Sequence, residues 1–116
     1  MRYWVYLAHC SNNSIYTGAT TDLKRRFLEH NSGYTGPHGA KYTAAHRPVY
    51  LVQAWEVDSW SDALRLEYAI KKCGRSEKDR LIKQPEQIHN LAERRKLSFS
   101  ISENTQELLD QSEKSD

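Results

Sequence analysis

The fold is decided by residues 3–18, which read YWVYLAHCSNNSIYTG. The segment from Tyr3 to Cys10 alternates aromatic and β-branched residues with small ones, which predicts a β-strand. Ser11 to Ser14 carries short polar side chains that satisfy local backbone groups and tolerate left-handed conformations, which predicts a turn. Ile15 to Gly18 then predicts the return strand of a β-hairpin. Gly18 marks a point where the chain bends sharply or another group approaches the backbone.

Residues 22–31 predict a helix directly after the hairpin. Thr20 or Thr21 can cap this helix, because a hydroxyl oxygen accepts from the unpaired N–H groups of the first turn. Leu23 and Phe27 lie four residues apart and form its apolar contact.

The neighbouring face of the same helix carries polar groups at a spacing of one turn. Asp22, Arg26 and His30 share this face, and the acid is favourable at the positive end of the helix. Asn31 to Gly33 is expected to end the helix. The loop of residues 33–47 that follows is long enough to be typical of a functional segment.

The rest of the chain predicts one more strand and three more helices. These are a strand over residues 49–55, a helix from the capping pair Ser59 and Asp62 to about Lys72, a helix from the capping pair Ser76 and Asp79 to at least Lys83, and a helix over 85–96. From Ser98 onward apolar residues are sparse, so we expect a weakly ordered tail in which only Leu108 and Leu109 dock.

Composition and charge narrow the class of protein. A chain of 116 residues suits one domain, and no apolar run approaches the roughly 20 residues of a membrane span. No secretory signal is visible, and Cys10 and Cys73 are interpreted as reduced core thiols of a cytoplasmic protein.

Charge is divided unequally along the chain. Residues 1–83 hold 13 Lys and Arg against 8 Asp and Glu, whereas residues 84–116 hold 4 against 7. A basic domain favours polyanions, because neutralised phosphates release counterions, although an ordinary solvated surface explains the excess equally well.

The candidate chemistry lies in the hairpin, the helix after it and one distant acid. Tyr6, Tyr16, Arg26 and His30 supply phenol, guanidinium and imidazole, which together suit a phosphate group. Glu67 adds a carboxylate on the apolar side of its helix, where it can bind Mg²⁺. The alternative for Glu67 is a salt bridge to Lys71 or Arg26, and for the tyrosines it is packing against the sheet.

Six blocks of the sequence, in order, resemble the GIY-YIG nuclease domain in its small stand-alone bacterial branch. The resemblance covers roughly residues 2–83 and is carried by Tyr16-Thr17-Gly18-Ala19-Thr20-Thr21-Asp22-Leu23, Arg25-Arg26, Glu29-His30-Asn31-Ser32-Gly33, Ala40-Lys41-Tyr42-Thr43, Arg47-Pro48 and Ala63-Leu64-Arg65-Leu66-Glu67. The first tripeptide, Trp4-Val5-Tyr6, departs from the family pattern by beginning with tryptophan instead of glycine, which the stand-alone branch tolerates.

The resemblance implies an α+β fold, with a small three-stranded antiparallel sheet flanked by helices in a single domain. It implies a nuclease domain over residues 1–83, which leaves 84–116 as a helical extension and a weakly ordered acidic tail. It also implies one active face with five catalytic residues, one divalent ion at Glu67 (Mg²⁺ or Mn²⁺) and DNA as the partner, with RNA not excluded. The catalytic residues are Tyr6, Tyr16, Arg26, His30 and Glu67.

Within that face, we expect Arg26 to hold the scissile phosphate, because its planar fork can bond two oxygens. Tyr6 is favoured as the group that deprotonates water, with Tyr16 positioning phosphate, although the two roles can be exchanged. Arg25 can pair with Glu29 at the surface or touch the nucleic-acid backbone.

Two residues of the long loop complete the predicted nucleic-acid contacts. Lys41 and Tyr42 can contact the strand that flanks the cut, and the Tyr42 ring can stack on an unpaired base. The sequence thus predicts a metal-dependent DNA endonuclease that processes branched, damaged or single-stranded DNA. The alternatives are a nucleic-acid-binding module without turnover and an interaction protein whose acidic tail docks on its own or a neighbour's basic face.

Overall fold

The computed structural model describes residues 2–31 and 47–103, with the backbone but not the side chain of His30. In chain order the elements are β1 (Tyr3–His9), β2 (Ile15–Thr20), α1 (Leu23–Asn31), β3 (Tyr50–Val57), α2 (Trp60–Lys71), α3 (Arg75–Lys83), a 3₁₀ turn (Pro85–Gln87), α4 (Ile88–Arg94) and β4 (Ile101–Glu103). The predicted α+β class, with an antiparallel sheet and flanking helices, is confirmed. Among the described helices, none is long and apolar enough to cross a membrane. The proposed division at residue 83 stays a prediction.

The sheet has four strands in the order β2-β1-β3-β4, so the prediction of three strands is wrong. All neighbouring strands are antiparallel. The added strand β4 pairs Ile101 with Val57 and Glu103 with Trp55, within a segment that the sequence assigned to the weakly ordered tail. Three residues are too few to show the two-residue alternation by which a strand is recognised. Only the buried Ile101 among them marks the pairing.

The sheet separates two apolar layers, because successive strand residues point to opposite faces. Trp4, Tyr6 and Ala8 of β1 pack with Leu23 and Phe27 of α1. Val5 and Leu7 face the other layer, which contains α2, α3 and α4. The buried members of this layer from the helices are Ala63, Leu66, Ala69, Ile70, Leu81, Ile88, Leu91 and Ala92. Helix α1 therefore lies on one face of the sheet, and α2 lies on the other.

The start of α1 differs from the prediction. Its capping residue is Asp22, whose Oδ1 accepts a hydrogen bond from the backbone N–H of Arg25 at 3.0 Å. Thr20 instead lies two residues earlier, where its hydroxyl accepts from the N–H of Asp22 at 3.1 Å. A carboxylate stabilises this end of the helix through both the hydrogen bond and the helix dipole.

The caps of the next two helices contrast with each other. Ser59 caps α2 as predicted, accepting from the N–H of Asp62 at 3.1 Å. The predicted cap of α3 by Ser76 is wrong, because α3 begins directly after Gly74 without a side-chain cap. Asp79, the expected partner of Ser76, accepts from Nε of Arg75 at 2.9 Å.

Asn31 joins the end of α1 to the residue before β3. Its amide accepts from the N–H of Val49 at 2.7 Å and donates to the carbonyl of the same residue at 2.9 Å. It also donates to the carbonyl of Phe27 at 3.2 Å, which ends the helix. One side chain thus fixes the two flanks of residues 32–46, which lie outside the described residues.

Gly18 is the point of closest approach inside the hairpin. It lies opposite Tyr6 in the β1–β2 register, and the phenol ring lies over it. A Cβ built at Gly18 would stand 2.5 Å from the Tyr6 hydroxyl oxygen and 3.0 Å from a ring carbon of Tyr16. Because Tyr6 is fully buried, its ring has little room to move away. The sequence expectation that another group approaches the backbone at Gly18 matches this contact.

We predict that Gly18→Ala lowers the free energy of unfolding by about 1–3 kcal/mol, since the added methyl group overpacks a full site. The measurement is a denaturant titration of the two proteins. Gly74→Ala is the matched control, because a Cβ there meets nothing within 4 Å, and it changes the stability by less than about 1 kcal/mol. Equal stabilities of the two variants would contradict the close packing of Tyr6 over Gly18.

Candidate active site

The centre of the candidate site is the Tyr6 phenol. Strand β1 directs this side chain into the layer of α1, where the ring meets the edge of Phe27 with centroids 5.1 Å apart. The Tyr16 ring of β2 lies 6.3 Å away and is tilted by 40°. Because Gly18 has no side chain, the phenol can extend across β2, which is the edge strand of the sheet.

Arg26 reaches the same phenol from α1. Its Nε–H donates to the Tyr6 hydroxyl oxygen at 3.4 Å, which is a long hydrogen bond. Its side chain is only 14% exposed, so the guanidinium lies at a shielded position beside both tyrosines. The helical spacing that places Phe27 against Tyr6 also turns Arg26 toward the hydroxyl.

Glu29 is a close neighbour of Arg26. Its carboxylate lies 3.3 Å from a terminal nitrogen of Arg26, three residues before it, whereas the pairing considered from the sequence was with Arg25, four residues before it. Both spacings occur on a helix, since i,i+3 and i,i+4 side chains are neighbours. Arg26 also contacts Tyr6 and is mostly buried, while the Arg25 side chain is exposed.

The protonation states of Tyr6 and Arg26 follow from their burial and from their contacts with each other. Burial is the largest influence on Tyr6 and raises its pKa far above the usual range of a phenol. The hydrogen bond and the charge of Arg26 lower this pKa, whereas the charges of Tyr16 and Glu67 raise it. For Arg26, burial lowers the pKa, but the contacts with Tyr6, Tyr16 and Glu29 outweigh it and leave the pKa raised. Near neutral pH the pair is therefore a neutral phenol beside a guanidinium cation.

Glu67 approaches the phenol from the other layer. It lies on α2, which packs against β1 and β2 on the face opposite α1. Its side chain is 19% exposed, and the carboxylate is 3.6 Å from Nζ of Lys71, which is one of the two ion pairs foreseen as alternatives. Even so, its charge acts on Tyr6. The helix that carries Glu67 packs against both β1, which carries Tyr6, and β2.

Three of the predicted site residues have side chains outside the described part of the chain. The backbone of His30 belongs to α1, one turn after Arg26, but its side chain lies outside the described part of the chain. Lys41 and Tyr42 also lie outside the described residues. Over the ranges 2–31 and 47–103, there is no group of three His, Cys, Asp or Glu side chains that could hold a metal ion.

Comparison with known proteins gives the same family from the sequence. Residues 2–80 match the model of the GIY-YIG catalytic domain. A UPF0213 protein of Syntrophus aciditrophicus is 49% identical over 86 residues, which cover 73% of this chain and 95% of that protein. A UPF0213 protein of Halobacterium salinarum is 47% identical over 77 residues, which cover 66% of this chain and 95% of that protein.

A solved relative is also similar. The solution NMR structure of a UPF0213 protein from Bacillus halodurans has 37% sequence identity and a TM-score of 0.45, covering 86% of this chain and all of that chain. The matched domain spans more than half of the 116 residues, and the two sequence relatives are matched over nearly their whole length. The chain therefore belongs to the GIY-YIG nuclease family.

Proposed function

We propose that this protein is a metal-dependent endonuclease that hydrolyses phosphodiester bonds in DNA, acting on branched, damaged or single-stranded substrates. The observation that supports this most directly is the contact of Arg26 with Tyr6 above Gly18, beside Tyr16 and within range of the Glu67 charge. This arrangement combines a cation with hydrogen-bonding phenols at one edge of a rigid sheet. Family membership supports the same reaction class, although fold alone does not fix an activity.

In the proposed reaction, Arg26 binds the scissile phosphate. Its planar guanidinium remains charged and can bond two phosphate oxygens, which a lysine cannot do. A phosphate would compete with Glu29, which now accepts from the same side chain. Because Arg26 is anchored through Nε to Tyr6, its terminal nitrogens point in a fixed direction, and fixed donors stabilise developing charge best.

The tyrosine roles follow from the difference in burial. Tyr6 is fully buried and its pKa is raised, which favours a neutral phenol that holds Arg26 in place or donates a hydrogen bond to phosphate. Tyr16 is only partly buried and lies nearer to solvent at the edge strand. We therefore assign the contact with attacking water to Tyr16, which exchanges the roles favoured from the sequence. His30 remains the proposed proton relay.

Glu67 is the residue proposed to hold the divalent ion. A single carboxylate suits Mg²⁺ or Mn²⁺, because these ions keep several waters and accept substrate phosphate as a further ligand. The residues fit such an open site, since Glu67 is partly exposed and its partner Lys71 is a half-exposed amine that an ion can displace. When bound, the ion would neutralise charge on the phosphate. The chain's own part is to hold the carboxylate on α2 close to β2.

The proposed DNA contacts extend beyond the site. Arg25 is exposed on α1, one residue from Arg26, where it can touch the backbone of a bound strand. Lys41 and Tyr42 are proposed to contact the strand flanking the cut. The excess of five basic residues in positions 1–83 (13 against 8) favours a polyanion, and RNA is not excluded as substrate.

A second candidate function is nucleic-acid binding without turnover. It is favoured by the pairing of both key charges with their own neighbours, Arg26 with Glu29 and Glu67 with Lys71. Binding that falls with salt, ignores metal ions and is unchanged by substitution of Glu67 would identify this alternative.

We predict that Arg26→Lys reduces cleavage of single-stranded, duplex or flap DNA in Mg²⁺ or Mn²⁺ by about 100-fold or more, because a fixed donor to the transition state is lost. The measurement is the single-turnover rate on labelled substrates. Arg25→Lys is the matched control, since it makes the same change on the same helix at an exposed position. Equal rates in the two variants would exclude the proposed role of Arg26.

We predict that Glu67→Gln abolishes the metal-dependent cleavage and weakens Mn²⁺ binding, because the amide keeps the shape of the side chain but loses its charge. Binding is measured by electron paramagnetic resonance of Mn²⁺, independently of activity. The control is Glu93→Gln, an identical change at an exposed position of α4. Unchanged Mn²⁺ affinity in Glu67→Gln would place the ion elsewhere.

A further prediction concerns Tyr6 and alkaline pH. Burial raises its pKa in the folded protein above the usual value of a phenol, about 10, so its contribution to stability is complete below about pH 10 and is lost as the pH rises further. We expect the free energy of unfolding to fall less steeply above pH 10 in Tyr6→Phe than in the parent. Tyr50→Phe, at an exposed tyrosine, is the control. The same slope in all three proteins would contradict the burial argument.

A further inference from the structure

An apolar groove lies on the outer side of α2, away from the candidate active site. Its volume is about 720 Å³. It is formed between α2 and the segment that follows α4. Its principal lining residues are Trp60, Leu64, Arg65, Tyr68, Arg95 and Leu97.

The groove exposes large side chains that would be more stable when covered. Trp60, Leu64 and Tyr68 recur every four residues and form one stripe along α2, and they are 42%, 45% and 62% exposed. The buried face of the same helix already packs on the sheet, so this stripe is a second apolar face. Contiguous exposed apolar surface of this kind marks an interaction site.

The charge of the groove restricts what can fill it. Arg65 and Arg95 belong to its lining, and the described residues that line it include no acidic side chain. A second copy of the same face would bring these arginines against each other, because a twofold interface pairs a surface with itself. The groove therefore suits an occupant that combines apolar and acidic residues.

The chain itself carries such a segment at a suitable distance. Residues 104–116 lie outside the described residues and follow β4, whose last residue Glu103 contacts the His89 ring at 3.2 Å. His89 is near the start of α4, and Arg95 follows the end of this helix about 9 Å away. Leu108 is five residues beyond Glu103, a reach of up to about 17 Å.

We propose that residues 104–116 dock back into this groove. Leu108 and Leu109 fill the apolar floor, and Glu107 and Asp110 on either side of them face Arg95 and Arg65. The order of the tail, acid-Leu-Leu-acid, matches an apolar floor with basic residues beside it. The tether raises the effective concentration of the segment into the range of about 1 mM, which favours it over a free partner.

Trp60 provides a direct measurement of occupancy, because Trp4 and Trp55, the other two tryptophans, are buried. In the full-length protein, the double variant Leu108→Asp, Leu109→Asp should shift Trp60 emission to longer wavelength and raise its quenching by acrylamide. Ser112→Asp, Ser115→Asp adds the same two charges to the tail and should leave both quantities unchanged. Each protein is compared with its Trp60→Phe counterpart, so that the signal is assigned to this residue.

A charge exchange tests the polar part of the contact. Arg95→Glu and Glu107→Arg should each increase acrylamide quenching of Trp60, and the two together should restore the parent value. Quenching that is the same in the parent and the Leu108→Asp, Leu109→Asp variant would overturn the proposal. Quenching that depends on protein concentration would also overturn it, because it would identify a second copy as the occupant. Equal protection of Trp60 by an oligonucleotide in the parent and in the Leu108→Asp, Leu109→Asp variant would overturn it as well, because it would identify nucleic acid as the occupant.

Discussion

The contact on which the candidate site depends is the packing of the Tyr6 phenol across Gly18. It requires a tyrosine on the central part of β1, a residue without Cβ opposite it on the edge strand, and Phe27 of α1 against the ring. Arg26 is then held by the hydroxyl at the end of that ring. One aromatic side chain therefore contacts the second strand of the hairpin, helix α1 and the guanidinium of Arg26.

The proposed site draws on residues from both layers of the structure. The sheet keeps α1 and α2 on opposite faces, yet the charge of Glu67 acts on Tyr6. Glycine at position 18 leaves room for the Tyr6 phenol to cross the edge strand, and α2 packs against the same strand from the other face. In our proposal, a phosphate at this edge would meet the arginine from one layer and the carboxylate from the other.

Much of this fold follows from local sequence patterns. Alternation predicts β1 and β2, and one-turn spacing on α1 predicts that Phe27 packs while Arg26 lies on the neighbouring face. Other features depend on partners distant in sequence. β4 is defined by its pairing with Trp55 to Val57, and the shielded position of Arg26 involves its contact with Tyr6, 20 residues earlier in the chain. Neither Asn31 nor Val49 carries a local signal for the hydrogen bonds that join them.

The short strand β4 has a consequence for the assembly behaviour of the chain. It covers the outer edge of β3 from Trp55 to Val57, and it lies beyond the residues 2–80 that match the family domain. An uncovered strand edge presents unpaired N–H and C=O groups, which is a template for pairing with other molecules. Truncation of the protein to residues 2–80 would therefore expose this edge of β3 and promote aggregation.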